Sequence, residues 1–288
     1  MTWLLADIGG TNTRLAFASP DGGINPVRVR NSDYASFDDA LDAHRPKGDK
    51  ISAACIAIAG PVDAEGGRLT NINWVVSRTA LSARLDAPVT VINDLGALAA
   101  SISDLPSGAL DPLTAASVDP SKPITVLGFG TGVNISSAQP DGRGHPVLWS
   151  SEIGHATLPT SVANIMDTPP ASIEEAFSGR GIANVIGAPT GAAATTAPEY
   201  SAARSQWAKA AGTFLQELAW ITKPTGGLVL AGSVLRAILQ SDARDVFVDA
   251  CAPTPRAGID LRPIPCALIT LDEAGLFGCR TILKGALA

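Results

Sequence analysis

The sequence has little of what builds a metal centre or a disulfide framework. It contains three histidines and four cysteines, and Cys55, Cys251, Cys266 and Cys279 lie far apart without any Cys-x-x-Cys pair. This spacing argues against a zinc knuckle and against a redox motif, because both need their ligands or thiols close together in the chain. We therefore expect the cysteines to be reduced and mostly buried.

The sequence also lacks a basic stripe, a long apolar run and a basic leader. Its 21 Lys and Arg residues are scattered among 27 Asp and Glu residues, for a net charge of −6, so we expect no nucleic acid or membrane as a partner. No stretch of about 18 residues is free of Gly, Pro and charge, which argues against a membrane-spanning helix. Residues Thr2 to Leu5 predict a strand rather than a signal peptide. We expect a soluble, cytoplasmic protein.

What the sequence does contain is typical of a compact globular protein. Hydrophobic residues make up 46% of the chain and charged residues 17%, a balance that argues against disorder. At 288 residues the chain exceeds a single average domain, and two lobes of ordinary size would each bury a core. We therefore expect two domains.

The most informative stretch, residues 4–17, is a pair of apolar runs joined by a short turn. Gly9 and Gly10 let the backbone approach a ligand closely, so the turn amides and the Thr11 hydroxyl can point at phosphate oxygens. Asp7 then stands where a metal-bound phosphate would sit. An ordinary tight hairpin is the alternative for this stretch alone. Residues 124–135 repeat the plan of strand, Gly-Thr turn and strand, which favours duplication and a phosphate-binding role.

A second informative stretch is a short apolar strand that begins at Pro88 and ends with Asn93 and Asp94. A predicted helix from Leu95 to Leu105 follows directly. Either residue could merely cap that helix. A carboxylate at a helix N-terminus is held ionised by the dipole and the free amides, which suits an acceptor for a hydroxyl proton. Capping and chemistry can therefore coexist here.

Two acidic groups in the second half of the chain have similarly open interpretations. Glu152 and His155 are three residues apart, so in a turn both side chains could face one ligand, although a surface pair fits the spacing equally well. His155 has no third zinc ligand near it, so no zinc site is predicted. Glu174 lies in an acidic first turn and, at face value, only complements a helix dipole.

Other elements are predicted from composition and periodicity. Residues 51–59 have the composition of a strand buried on both faces, and residues 187–197 predict a mobile loop. Residues 196–199 have the spacing of a capping box ahead of a core-facing helix. Residues 261–271 predict a strand and residues 274–287 a closing helix. The apolar positions that recur at helical intervals in the core-facing helix are Trp207, Ala211, Phe214, Leu218 and Ile221.

Eight short pieces of the chain resemble the bacterial glucokinase family in content and order, and the match spans nearly the whole chain. A single Gly-Thr turn is unspecific, whereas eight ordered pieces with plausible spacings are not. The pieces are Asp7-Ile8-Gly9-Gly10-Thr11-Asn12, Ala59-Gly60-Pro61, Thr70-Asn71 with Trp74, Ile92-Asn93-Asp94, Gly130-Thr131-Gly132, Glu152 with Gly154-His155, Glu174 before Ser178-Gly179, and Ala231-Gly232.

The resemblance implies an α/β, two-lobed actin-like (ribonuclease H-like) hexokinase fold, with a duplicated strand-hairpin core and sugar and ATP in an interlobe cleft. We expect a small domain of residues 1–104 plus 275–288 and a large domain of residues 105–274. The implied activity is ATP-dependent phosphorylation of glucose at the 6-hydroxyl, with ATP and Mg²⁺ as cofactors. A homodimer is common in the resembled family.

The resemblance also implies site residues with distinct roles. Asp94 matches the base that faces the 6-hydroxyl, and Asp7 matches the acidic position associated with magnesium through water. The sugar-binding positions are Asn71, Asn93, Asp94, Glu152, His155 and Glu174. The nucleotide-binding positions are Asp7, Gly9, Gly10, Thr11, Asn12, Gly130, Thr131, Gly132, Gly232 and Ser233.

Three residues depart from the family pattern. Asn134 stands where the family usually has a glycine, Ile153 replaces the first of two glycines, and Ser233 replaces the last glycine of Ala-Gly-Gly. Asn134 tolerates a left-handed backbone, and Ser233 is expected to cap the next helix. Ile153 resists positive φ and adds bulk beside Glu152, so we expect it to affect sugar affinity or sugar choice.

The competing functions are a glucokinase, a kinase for another hexose or amino sugar, a sugar-sensing regulator and a catalytically weakened relative. The regulator would need a DNA-binding helical module ahead of the first hairpin, and that hairpin begins by residue 7. The weakened relative is suggested by the three departures. Retention of Asp94, Asn93, Glu152 and Glu174 counts against it, and a glucokinase is the leading interpretation.

Overall fold

The computed structural model of the protein describes residues 1–48 and 50–287. The chain divides into two compact units. The first consists of Met1–Ala109, Ala138–Leu148 and Leu271–Ala288, and the second of Leu110–Ser137 and Trp149–Thr270. This division differs from the predicted domains mainly in the segment Ala138–Leu148, which is grouped with the first unit.

Strands and helices alternate through much of the chain. The strands are β1 (Thr2–Ile8), β2 (Asn12–Ala18), β3 (Val27–Arg30), β4 (Ile51–Ile58), β5 (Gly66–Arg68), β6 (Val75–Ser77), β7 (Val89–Asn93), β8 (Leu110–Pro112), β9 (Ile124–Phe129), β10 (Val133–Pro140), β11 (Pro146–Ser151), β12 (Gly227–Ala231) and β13 (Cys266–Ile269). The helices are α1 (Phe37–His44), α2 (Arg78–Leu85), α3 (Asp94–Ser101), α4 (Thr160–Ala163), α5 (Ile173–Phe177), α6 (Gly179–Ile186), α7 (Gly191–Thr196), α8 (Ser201–Thr222), α9 (Ser233–Leu239), α10 (Arg244–Cys251) and α11 (Ala274–Ala286). Turns of 3₁₀ helix occupy Asn31–Asp33, Ile153–His155 and Pro198–Tyr200.

The first unit is built on a five-stranded sheet of order β3-β2-β1-β4-β7. Strand β1 is antiparallel to β2 and parallel to β4, which is parallel to β7. Successive side chains of β1 point to opposite faces, so Leu4 packs in a cluster with Phe37, while Leu5 packs in another with Leu276. Strand β4 is buried on both faces, as predicted. Each fully buried large apolar side chain contributes about 1.5–3 kcal/mol.

Helices α3 and α11 pack closely on the second of these faces. A Cβ atom added at Gly278 of α11 would lie 1.7 Å from the carbonyl oxygen of Ala97 of α3, so only glycine permits this approach. Cys279 follows on the same helix, and its Sγ lies 3.4 Å from the carbonyl oxygen of Ala6. The four cysteines are buried free thiols, as predicted, and burial raises the pKa of Cys266 to about 12.

The second unit is organised around strands of a sheet of order β11-β10-β9-β12-β13-β8. Strand β12 runs parallel to β9 and β13, and α8 supplies much of the core. The rings of Phe129 and Phe177 stack with centroids 5.1 Å apart, and the indole N–H of Trp207 donates to the carbonyl oxygen of Ala176 at 2.8 Å. The core-facing helix is confirmed except at Ile221, which is 58% exposed.

Three predicted elements of the second unit are wrong. Residues 191–196 of the predicted loop form α7, because three alanines favour helix and the Thr190 hydroxyl caps it by accepting from Ala193 N–H. The predicted capping box instead forms a 3₁₀ turn at Pro198–Tyr200, and α8 begins without a side-chain cap. Only Cys266–Ile269 of the predicted strand at 261–271 is extended in a sheet.

Across the described part of the chain, no helix is both long enough and apolar enough to cross a membrane.

Candidate active site

The first Gly-Thr turn joins β1 to β2 in an antiparallel hairpin, as predicted. Asp7 pairs with Arg14 across the ladder, and the Gly9 N–H donates to the Asn12 carbonyl oxygen at 3.0 Å, which closes the turn. Thr11 at the tip is exposed to solvent. The tip of the turn is therefore accessible to solvent.

Two asparagine side chains from outside the hairpin hold the carbonyl groups of this turn. Asn31, which is only 2% exposed, donates from Nδ2 to the Gly9 carbonyl at 2.8 Å and accepts from the Thr13 hydroxyl at 2.8 Å. Its backbone N–H donates to the Thr11 carbonyl at 3.0 Å. Asn71 donates from Nδ2 to the Gly10 carbonyl at 2.5 Å. Asn71 thus contacts the turn, and Asn31 is a supporting residue that sequence reasoning missed.

Asp7 lies at the end of β1 beside two groups that influence its charge. Arg14 Nη1 lies 3.3 Å from Asp7 Oδ2. A Cβ atom at Gly275, in the first turn of α11, would lie 2.9 Å from the carboxyl carbon, so the helix start abuts this carboxylate. Burial raises the pKa of Asp7, and the Arg14 guanidinium opposes the rise.

Asn93 and Asp94 lie where β7 ends and α3 begins. Asn93 is the N-cap, because its Oδ1 accepts from the Leu95 N–H at 3.0 Å while its Nδ2 donates to the Gly60 carbonyl at 3.2 Å. Asp94 Oδ1 accepts from the same N–H at 2.9 Å. The capping interpretation is confirmed for Asn93, and the Gly60 contact explains why the Ala-Gly-Pro piece accompanies it.

The Asp94 carboxyl group is half-buried and its protonation is set by its surroundings. Burial, reinforced by the negative charge of Asp7, raises the pKa of Asp94 to about 7, against the opposing hydrogen bonds from Leu95 and Asn93. Two predicted site residues, Asp7 and Asp94, are therefore electrostatically coupled. The expectation that the start of the helix holds this carboxylate ionised is therefore wrong, because burial and Asp7 outweigh the hydrogen bonds there. A carboxylate that titrates near neutrality is still suited to accept a proton from a substrate hydroxyl.

The second Gly-Thr turn joins β9 to β10. The Gly130 N–H donates to the Gly132 carbonyl at 3.0 Å, and the Gly179 N–H donates to the Gly130 carbonyl at 2.7 Å. Thr131 and Gly132 are exposed. A Cβ atom built at Gly130 would meet no atom within 4 Å, so the space in front of this peptide is open.

Glu174, near the start of α5, reaches this second turn. Its Oε2 accepts from the Val133 N–H at 3.4 Å, and a Cβ atom at Gly132 would lie 3.0 Å from the same oxygen. The neighbouring Glu175 takes the local role, because its carboxylate accepts from the Ala171 N–H at 3.0 Å. Glu174 therefore does more than complement the helix dipole, because its carboxylate also contacts the second Gly-Thr turn.

Glu152 and His155 are both exposed on one 3₁₀ turn. Between them Gly154 is buried, and a Cβ atom there would lie 2.3 Å from the Val133 carbonyl oxygen, so this position needs glycine. Ile153 is not among the described residues with positive φ, and its side chain packs against the core of the second unit. The positive φ that a family glycine suggests at position 153 is therefore absent, and the expected effect of Ile153 on sugar affinity or sugar choice stays a prediction.

Gly232 and Ser233 form the start of α9. Gly232 has φ of +101°, and a Cβ atom there would lie 2.2 Å from the Phe129 carbonyl oxygen, so the turn needs glycine. Ser233 is the first residue of the helix and its side chain makes no capping hydrogen bond. The prediction that Ser233 caps α9 is wrong, because the preceding residue, Gly232, occupies the N-cap position.

The predicted residues fall into one group within each unit. Residues 1–48 and 50–287 contain no group of three or more His, Cys, Asp and Glu side chains placed to hold a metal ion. The first group is Asp7, Gly9, Gly10, Thr11, Asn12, Asn71, Asn93 and Asp94. The second group is Gly130, Thr131, Gly132, Glu152, His155, Glu174, Gly232 and Ser233.

Known proteins resemble this chain along almost its whole length. The glucokinase from Nitrobacter hamburgensis is 32% identical over 96% of this chain and 95% of its own. The solved structure of a glucokinase from an Antarctic psychrotroph has a TM-score of 0.82 with 26% identity, and it covers 99% of both chains. A ROK family glucokinase from Streptomyces griseus, solved with glucose and AMPPNP, has a TM-score of 0.63 with 20% identity over 98% of this chain and 99% of its own.

These likenesses confirm the predicted hexokinase-type α/β fold. The sequence model of the family described as Glucokinase matches residues 4–286. The chain belongs to the glucokinase family.

Proposed function

We propose that this protein transfers the γ-phosphoryl group of ATP to the 6-hydroxyl of glucose, giving glucose 6-phosphate and ADP. The observation that carries the proposal is the Asp94 carboxyl group, which the start of α3 holds beside Asp7 with a pKa of about 7. A base is most effective when its pKa lies near the working pH. Asp94 therefore accepts the proton of the 6-hydroxyl as the oxygen attacks phosphorus.

The sugar-binding residues are Asn71, Asn93, Asp94, Glu152, His155 and Glu174. Carboxylates and amides of this kind suit sugar hydroxyls, because an ionised acceptor makes a stronger hydrogen bond than a neutral one. Support comes from the contacts that fix two of these groups: Asn93 is held by Leu95 and Gly60, and Glu174 is held by Val133. Fixed acceptors lose little freedom when a sugar binds.

The nucleotide-binding residues are Gly9, Gly10, Thr11, Asn12, Gly130, Thr131, Gly132, Gly232 and Ser233. Backbone N–H groups of the two turns hold phosphate oxygens, and Gly232 with Ser233 borders the nucleoside. The support is the open space in front of Gly130 and the exposure of Thr11 and Thr131. Positioning and charge neutralisation provide most of the catalysis in phosphoryl transfer.

Asp7 is the residue that would hold Mg²⁺. Its carboxylate is the kind of oxygen ligand that Mg²⁺ prefers, and it would hold the ion through water, as the resemblance to the family implies. When bound, the ion neutralises charge that develops on the phosphate oxygens.

A coupled ADP-release assay over a panel of sugars tests the proposal. We expect kcat/KM for glucose to exceed that for galactose and for N-acetylglucosamine, because a changed position 4 or a bulky position 2 leaves acceptors that pair with glucose hydroxyls without their partners. Glu174→Gln should reduce that discrimination. A preference for N-acetylglucosamine would assign the protein to amino-sugar phosphorylation, and a lack of turnover on every sugar would identify a catalytically weakened relative.

A further inference from the structure

Asn134, in β10, bridges to the 3₁₀ turn that carries Glu152. Its Nδ2 donates to Glu152 Oε2 at 2.7 Å. Its Oδ1 accepts from the Ile153 N–H at 3.1 Å and from the Ile135 N–H at 3.0 Å. One asparagine side chain therefore contacts the side chain of Glu152, the next peptide group of that turn and its own strand.

The orientation of the Asn134 amide follows from the chemistry of these partners. A backbone N–H can only donate, so the two peptide groups must face the carbonyl oxygen of the side chain. An ionised carboxylate can only accept, so Glu152 must face the NH₂ group. The reverse orientation would place two donors against NH₂ and two acceptors against each other. The network therefore fixes the amide in a single orientation.

This network restrains a side chain that otherwise has freedom to move. Glu152 is exposed, and an exposed glutamate samples several rotamers, which costs free energy when a ligand selects one of them. The bond from Asn134 selects a rotamer in advance. The bond to the Ile153 N–H holds the adjoining peptide at a residue where the family pattern has the more flexible glycine.

We propose that Asn134 is a positioning residue that orients Glu152 and the Glu152–Ile153 peptide for sugar binding. This inference rests on the proposed role of Glu152 in binding the sugar. The two departures at positions 134 and 153 then belong together, because the side chain of the first holds the backbone of the second. Asn134 itself need not touch the sugar.

Asn134→Asp is the most informative variant, because it keeps an oxygen for both peptide N–H groups and replaces the NH₂ donor with a second acceptor facing Glu152. We expect the Kd for glucose, measured by calorimetry, and the KM for glucose to rise about tenfold, as loss of one charge-assisted bond predicts. The KM for ATP and kcat should change less than twofold. Asn184→Asp, on an exposed face of α6, is the matched control and should leave all four values unchanged.

A reversed pair gives the second measurement. In Asn134→Asp combined with Glu152→Gln, the glutamine amide can donate to the new aspartate, so the double variant should bind glucose more tightly than the sum of the two single effects predicts. Additive effects would overturn the inference. An unchanged glucose Kd in Asn134→Asp, with or without a lower Tm, would also overturn it and show a purely structural role.

The wild-type protein separates this inference from the proposed function. If wild type binds and phosphorylates glucose while Asn134→Asp matches it, the positioning role is wrong and the glucokinase proposal stands. If wild type neither binds nor phosphorylates glucose, the proposed function fails, and the inference fails with it.

Discussion

The turn at residues 9–11 and the turn at residues 130–132 follow the same plan of strand, Gly-Thr and strand, but different groups hold their backbones. In the first, side-chain amides of Asn31 and Asn71 hold the carbonyl groups. In the second, the peptide N–H of Gly179 holds a carbonyl group, and the carboxylate of Glu174 accepts from the adjoining strand. The repeated sequence therefore encodes the shape of the turn and leaves its support to the rest of each unit.

The surroundings of the two turns also differ in their chemistry. Two coupled carboxylates, Asp7 and Asp94, lie in the unit of the first turn, and the pKa of Asp94 is raised to about 7. In the second unit, the Glu174 carboxylate accepts a hydrogen bond from the Val133 N–H. We propose that the first unit supplies the proton acceptor and the second supplies fixed binding groups.

The largest effect is expected when the proposed proton acceptor of the first unit is removed. Asp94→Asn should lower kcat by about 10²–10⁴ with little change in the KM for glucose, because the amide cannot accept the hydroxyl proton. Steady-state kinetics measure this, with Asp38→Asn on the exposed side of α1 as the control. Near-normal turnover in Asp94→Asn would remove Asp94 from the mechanism.

The next prediction compares a valine substitution at one glycine of each turn. A Cβ atom at Gly130 meets no atom, whereas one at Gly10 lies 3.2 Å from Asn71 Nδ2. Gly130→Val should keep its Tm and raise the KM for ATP about tenfold or more, because the side chain occupies the space in front of the peptide. Gly10→Val should instead lower Tm by displacing Asn71. Equal changes in the KM values for ATP and glucose in Gly130→Val would contradict a phosphate role.

The pH dependence of kcat/KM should reflect the titration of a group in the first unit and of none in the second. Because the proposed base, Asp94, has a pKa of about 7, kcat/KM should fall about tenfold per pH unit below that value. Glu174→Gln should retain this acidic limb. A wild-type profile that stays flat down to pH 5.5 would contradict the assignment of the base.

The raised pKa of Asp94 also makes the free energy of unfolding depend on pH. The folded protein holds the Asp94 proton more tightly than the unfolded chain does, so this group's contribution to the free energy of unfolding falls as pH rises from about 4 to about 7. Relative to Asp94→Asn, wild type should therefore lose up to about 4 kcal/mol across that interval. Urea unfolding of both proteins at pH 5 and pH 8, which samples about two of those roughly three pH units, should show a difference of about 2–3 kcal/mol.

The smallest expected effect tests the side-chain support of the first turn. Asn31→Ala should lower the free energy of unfolding by about 1–3 kcal/mol, because it leaves the buried Thr13 hydroxyl without its acceptor and frees the Gly9 carbonyl. Asn71→Ala, at an exposed position, should cost less than about 1 kcal/mol. Equal costs for the two variants would show that burial does not distinguish them.

Local patterns predicted the parts of the site that depend on neighbouring residues. The turn glycines and the Asn93-Asp94 pair at a strand end are visible in the sequence because their geometry is set within a few residues. Asn31 and Gly275 have no such signal, since they act on Gly9 and Asp7 only after the chain has folded. Ile153 shows the opposite error, because a family glycine suggested positive φ where the backbone forms an ordinary 3₁₀ turn.

Helix α11 completes a cluster that β1 begins. Leu276, Cys279 and Leu283 of α11 pack with Trp3 and Leu5 of β1, although these segments lie at opposite ends of the chain described. Residue 109 ends the first segment of this unit. Because a ribosome adds about 5–20 residues per second, α11 is synthesised roughly 10–30 s after residue 109. Throughout that interval this face of the first sheet lacks its final cover, and it is a surface that a chaperone would recognise.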